Sequence, residues 1–180
     1  MPQIFMRFLA KTNTSLQKRM LQGLAPFNNA DLIVPNLWLG NMRAASDENF
    51  LRQQNIEIVF NCTKDIPFHS SIRKRYRVPV DDNLEAEEIR NLELWGFEIQ
   101  YKLMKEYKTG KPILIHCAAG MQRSAAVVAM FLISTRGMKW EEAIQYIRQR
   151  RPIAFYPSAN FLPAIQGYER AFHRMIEQLS

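Results

Sequence analysis

The sequence predicts an α/β domain in which a central, mostly parallel, twisted sheet is flanked by helices. Three observations carry this. From Asp31 onward, short apolar runs alternate with segments whose apolar residues recur every three or four positions. Ile58-Val59-Phe60 and Ile113-Leu114-Ile115 are apolar at successive positions, as in strands covered on both faces. The run 113–115 passes directly into His116-Cys117, and a helix begins near Arg123. Such a strand–loop–helix unit belongs at the carboxyl end of a parallel sheet, where active sites sit.

In chain order, strands are expected at 31–34 and 37–39, split by the turn signal Pro35-Asn36. Ser46 is expected to open a helix, with Asp47 and Glu48 in the first turn, where the positive dipole end favours them. Further strands are expected at 56–60 and 76–80. A long amphipathic helix over 85–107 carries Ile89, Leu92, Trp95, Ile99 and Leu103 on one face. After the strand at 113–115, a buried helix covers 125–134, an amphipathic one 140–149, and a last helix 160–178.

Residues 1–27 read as an extra N-terminal amphipathic helix and linker, and residues 28–180 as the main domain. The first thirty residues contain no Asp or Glu. Ile4, Phe5, Phe8, Leu9, Leu16, Met20, Leu21 and Leu24 fall near helical spacing, among Arg7, Lys11, Lys18 and Arg19. Three readings stay open: a packing or self-association helix, a membrane-surface or targeting segment, and a poorly ordered arm.

The chain has 180 residues, enough for one domain with a substantial core. Hydrophobic residues make up 47% and charged residues 23%, ordinary for a soluble globular protein. No apolar run reaches the roughly 20 residues of a membrane span. Two cysteines, Cys62 and Cys117, suit a reducing, intracellular and cytoplasmic setting, with a nuclear or virus-particle location left open. The net charge of +7 favours acidic partners. His69, His116 and His173 lack ligand spacing, and no Walker-type nucleotide loop or dinucleotide fingerprint occurs, so neither metal nor cofactor is expected.

Residues 117–123, Cys-Ala-Ala-Gly-Met-Gln-Arg, have the makings of an anion cradle. The chain turns into a helix N-terminus, where unpaired N–H groups and the macrodipole present positive potential. Ala118, Ala119 and Gly120 are small enough to let the backbone approach an anion, and Met121 and Gln122 complete the loop. Arg123 closes it with a planar fork that grips two oxygens at once. Cys117 then lies at the focus of positive potential, which favours the nucleophilic thiolate. The Ser124 hydroxyl is placed to stabilise that sulfur, and His116 to order the loop. A buried structural cysteine is the competing reading. Five residue types at fixed spacing arise by chance with odds below roughly one in ten thousand, which decides against it.

His116-Cys117 through Arg123-Ser124, HCAAGMQRS, resembles the signature of the cysteine-dependent dual-specificity protein phosphatases, a branch of the protein tyrosine phosphatase superfamily. The segments LIVPNLWLGNMRAA, IEIVFNCT, YRVPVDDN and RRPIAFYPSANFLPAIQGYE resemble successive blocks of that catalytic domain, from about Asp31 to Ala171. A minimal domain after one helix is similar to the small atypical members, including poxvirus-type enzymes. In those the leading helix can serve dimerisation, so a homodimer through the N-terminal helix is open here. The resemblance implies a protein tyrosine phosphatase-like fold and phosphorylated protein substrates, with phosphotyrosine and phosphoserine or phosphothreonine hydrolysed through a phosphocysteine.

The resemblance also assigns an acid. VPVDDN is similar to the family's acid loop, and Asp82 falls at the acid position; the competing reading has Asp81 and Asp82 cap the following helix. Arg151 falls where relatives present a second anion site beside the pocket, although the cluster Arg148, Arg150 and Arg151 also reads as a solvated helix end. Ser158 stands where the family often has an Asn that positions the phosphate loop, and Asn160 is two positions off. In some relatives a cysteine near Cys62 forms a reversible disulfide with the nucleophile; inert packing is the other reading.

Two rival functions remain. An RNA 5′-phosphatase of the same fold suits the positive charge, but no aromatic–basic interleaving marks a nucleic-acid face. A phospho-binding module without turnover usually lacks the Cys or the Arg, and both are present here. A membrane partner is left open.

Overall fold

The computed structural model describes residues 27–179. The helix expected within residues 1–27 lies outside them, Phe27 apart.

β1 (Ala30–Val34) and β2 (Leu37–Gly40) form an antiparallel hairpin. Asn36 turns it in the left-handed region (φ 63°), which Asn tolerates better than most residues. β3 (Ile58–Asn61), β4 (Lys74–Arg77) and β5 (Ile113–His116) complete one sheet in the order β1-β2-β5-β3-β4. All pairings except β1–β2 are parallel. The expected α/β class and mostly parallel sheet are therefore present.

The described residues hold six helices: α1 (Met42–Ser46), α2 (Glu48–Gln53), α3 (Ala86–Tyr107), α4 (Arg123–Arg136), α5 (Trp140–Arg150) and α6 (Leu162–Leu179). Side chains alternate across a strand, so Ile113 and Ile115 face the layer of α3 to α6 while Leu114 packs with Leu51 and Ile56 on the α1–α2 side. Every residue from Ser124 to Ile133 of α4 is buried, as expected for a helix apolar all round. Gly137 ends it in the left-handed conformation.

Two expectations are corrected. Ser46 ends α1 instead of opening a helix. Asp47 caps α2, its carboxylate accepting from the Asn49 and Phe50 N–H groups. The strand expected at 76–80 stops at Arg77. Val78 still donates to the Asn61 carbonyl, but Pro79 has no N–H, and Val80 N–H turns back to the Val78 carbonyl. Val78 and Val80 are nonetheless buried, which is the signal that the apolar pattern carried.

Candidate active site

The parallel strands β2, β3 and β5 end side by side at Gly40, Asn61 and His116, and the loop 117–122 rises from β5 into α4. Its shape follows from where its carbonyls go. The Ala118 carbonyl accepts from Met42 N–H (3.1 Å), the Gly120 carbonyl from Arg151 Nε (2.8 Å), and the Met121 carbonyl from Phe155 N–H (2.8 Å). In a planar trans peptide the N–H points opposite to its carbonyl. Tying three carbonyls outward therefore turns the N–H groups of Ala119, Met121 and Gln122 inward, toward a common centre. Gly120 has φ +67°, and a Cβ there would overlap the Gly40 carbonyl, so only glycine fits.

Cys117 lies under this ring and is 1% exposed. Its sulfur accepts from Gly120 N–H (3.2 Å) and from the Ser124 hydroxyl (3.2 Å). Burial alone would push the thiol up; the Arg123 charge, the Ser124 hydroxyl and the N–H groups of Ser124 and Gly120 outweigh it and hold the pKa below the usual thiol value. Arg123 donates Nη1 to the Val80 carbonyl (3.2 Å), which ties it to the segment leading to the acid loop. Its Nε–H is buried with no protein partner. A buried, unpaired guanidinium N–H beside a thiolate suits an anionic ligand.

His116 is fully buried, with Nδ1 3.4 Å from the Cys117 carbonyl. Burial, then the charges of Arg77 and Arg123, lower its pKa from 6.5 to about 4 against the opposing carbonyl contact, so the ring is neutral near pH 7. The unfolded chain takes up a proton below 6.5 that the folded chain refuses until about 4, so stability falls as pH drops across that window. Urea midpoints should show an acid-side loss of ~3 kcal/mol that is absent in His116→Asn.

Asp82 is exposed, and its carboxylate accepts from Asn160 Nδ2 (2.8 Å). Asn160 N–H in turn donates to the Gln122 side-chain oxygen (3.0 Å), and the Gln122 amide donates to the carbonyls of Tyr156 and Ser158. Asp82, the expected acid, is thus linked through Asn160 to the end of the loop 117–122. Neither aspartate caps α3: its N-cap is Glu85, while Asp81 pairs with Lys64 (2.9 Å) and gives its N–H to Glu88. The capping reading is corrected in favour of a braced loop that leaves Asp82 at the surface.

Three assignments change. Gln122 is 5% exposed, and its side chain holds the 156–160 loop; only its backbone N–H faces the centre. Arg151 is not a flanking anion site. It is fully buried, donates to the carbonyls of Gly120 and Asn28, and pairs with Asp31 at 2.6 Å. Its side chain is wholly enclosed, with Nε and Nη1 committed to Gly120, Asn28 and Asp31 and Nη2 buried without a protein partner, so it presents no surface beside the pocket to a substrate phosphate. Arg148 holds the carbonyls of Ala154 and Phe155, while Arg150 stacks on Tyr146 at the surface. Asn160 is the residue that sequence reasoning set aside. Register against the family pointed to Ser158, and only the looped path from Tyr156 to Asn160 brings the later amide to Asp82. Ala118, Ala119 and Met121 stand at the mouth, at least partly exposed. Cys62 and Cys117 are both free thiols. Burial, then the Cys117 charge, pushes the Cys62 thiol up despite Arg123, in keeping with inert packing.

The comparisons agree with this geometry. The family model described as the dual specificity phosphatase catalytic domain matches residues 37–171. The chain belongs to the dual-specificity phosphatases. It is 31% identical over 147 residues to dual specificity protein phosphatase 1 of Arabidopsis thaliana, covering 80% of this chain and 71% of that one. It is 29% identical over 141 residues to human dual specificity protein phosphatase 8, covering 77% of this chain but 22% of that protein. The chain thus spans under a quarter of the latter's length. Among solved structures it resembles human DUSP28, with a TM-score of 0.68 and 27% identity, covering 83% of this chain and 97% of that one. These relatives do not favour the RNA-phosphatase or binding-module readings.

Proposed function

We propose that this dual-specificity phosphatase hydrolyses phosphate esters on tyrosine and on serine or threonine of proteins. The observation that carries the reading is a cysteine sulfur that accepts from the Gly120 N–H and the Ser124 hydroxyl, with its pKa drawn below the usual thiol value beside the Arg123 guanidinium. The Cys117 thiolate attacks phosphorus, forming the S–P bond as the P–O bond to the substrate breaks. Asp82 gives its proton to the leaving oxygen. Water then attacks phosphorus, Asp82 takes up a proton, and the S–P bond breaks with the Ser124 hydroxyl donating to the departing sulfur. Arg123 and the loop N–H groups stabilise the charge on the equatorial oxygens.

Matched phosphotyrosine, phosphothreonine and phosphoserine peptides test the reading; turnover of none of them rejects it. The acid is tested by leaving group. Asp82→Ala should lower kcat by ~10²–10⁴-fold on a phenolic substrate of high leaving-group pKa and far less on one of low pKa. Asn160→Ala should show the same pattern at about a tenth of normal kcat, because it orients the carboxylate without touching substrate. Equal losses on both leaving groups would refute the positioning role.

A cytoplasmic location and self-association through residues 1–27 form part of the same proposal, supported by the two cysteines and the one-sided apolar stripe. Mass in solution with and without residues 1–25 tests the second.

A further inference from the structure

Among the described residues β1 and β4 are the edge strands of the sheet, and a cavity lies beside β4. β4 pairs only with β3. Lys74 N–H donates to Glu57 and Val78 N–H to Asn61, which fixes the parity of the parallel ladder. The main-chain groups of Lys74 and Tyr76 therefore face β3, and those of Arg75 and Arg77 face outward. Along that edge lies a cavity of about 310 Å³, walled by Tyr76, Val78 and Pro79 and by Trp95 and Ile99 of α3; Arg75 and Arg77 also border it, as do Glu98 and Lys102 of α3, which pair with each other and add no net charge.

The two faces of this edge differ. Tyr76 stacks on Phe60 and donates its hydroxyl to Glu106, so it lies on the α3 face with the cavity. Arg75 and Arg77 project to the other face. Arg75 donates to the carbonyls of Ile72, Ser70 and His69; Arg77 donates to those of Thr63, Lys64 and Ile66 and lies over the Phe68 ring. Arg73 and Lys74 have carboxylate partners in Glu57 and Glu106. Among the described residues, Arg75 and Arg77 have none, so the edge carries two uncompensated positive charges. A second copy paired on this edge would set arginine against arginine, which is unfavourable. The charge selects an acidic occupant.

We propose that the open edge of β4 is a docking strand for an extended acidic–apolar–acidic segment of the protein substrate. The segment adds as a sixth strand, bonding to the outward main chain of Arg75 and Arg77. Its central apolar side chain enters the cavity against Trp95 and Ile99, and the flanking carboxylates lie beside Arg75 and Arg77. Past Arg77 the chain reaches Asp82 in five residues, at most about 18 Å. A phosphorylated residue a few positions beyond the docked segment therefore reaches the catalytic mouth. Only the assignment of the segment to a substrate rests on the phosphatase reading; binding does not need turnover.

The probe is a labelled, unphosphorylated peptide with Glu-Phe-Glu at its centre, titrated into the full chain and into Cys117→Ser. The peptide should slow amide hydrogen exchange at Arg75 and Arg77, bind more weakly as salt rises, and lose about tenfold in affinity in Arg75→Glu and in Trp95→Ala. A Lys-Phe-Lys peptide should not bind. Appending the acidic segment about six residues from a phosphotyrosine should lower KM without changing kcat, and Arg75→Glu should abolish that gain while leaving turnover of a small aryl phosphate unchanged. Melting temperature confirms that each variant folds. Unaltered exchange at Arg75 and Arg77, affinity indifferent to Arg75→Glu, or edge pairing with a second copy would each overturn the proposal. Loss of aryl phosphate turnover in the unaltered chain would instead overturn the catalytic reading and leave the binding result standing.

Discussion

Cys117→Ser should lower kcat on any phosphate ester by on the order of 10⁴-fold or more while leaving the affinity for inorganic phosphate nearly unchanged. The cradle that draws the thiol below its usual pKa contains one guanidinium, one hydroxyl and two N–H groups at the sulfur. The same groups cannot ionise a serine hydroxyl, whose proton is held far more tightly, so the variant keeps the anion site and loses the nucleophile. Turnover of an aryl phosphate and calorimetric titration with phosphate separate the two effects. The pH profile carries the same physics. Attack needs the anion, so kcat/KM rises with pH through the Cys117 pKa, and this acid limb lies below the range of an ordinary thiol. Ser124→Ala removes one donor to the anion and should move the limb to higher pH. A limb that stays in place would show that the hydroxyl does not stabilise the thiolate.

Arg151→Met should cost roughly 3–5 kcal/mol of folding stability and most of the activity, although the residue never reaches substrate. Its guanidinium is fully buried and pairs with Asp31 while donating to the carbonyls of Gly120 and Asn28. Removing it leaves Asp31 without its cation and frees the Gly120 carbonyl, whose outward bond keeps the next N–H turned toward the centre. Asp31→Leu combined with Arg151→Met removes both charges, so part of the stability should return. Activity should not, because the Gly120 carbonyl still lacks its donor. Chemical denaturation and turnover of the three variants decide this. Recovery of activity in the double variant would show that the ion pair, and not the bond to Gly120, is what matters.

These two residues show how far the sequence carries. Cys117, Arg123 and Ser124 were legible because the chemistry of an anion loop is local: a strand, small residues, a glycine and a helix start lie within a dozen positions. The sheet class was legible for a similar reason, since strands covered on both faces leave continuous apolar runs. The burial of Arg151 is hard to read because its partner Asp31 is 120 residues away. Three arginines within four positions look alike until packing gives one to the loop, one to a turn and one to solvent. Gln122 was given to the substrate because loop position was all that could be seen, whereas its bonds to Tyr156 and Ser158 cross 34 and 36 residues.

By itself, the sequence determined the family signature from His116 to Ser124 and the sheet that presents it, because these depend on neighbours in the chain. The tertiary structure alone decided what turns the loop N–H groups inward, what holds the Asp82 carboxylate through Asn160, and which edge strand carries arginines without carboxylate partners among the described residues. Those are questions of which buried donors find which acceptors, and of which strand lacks a neighbour. Both are settled only when distant segments close on one another and exclude water.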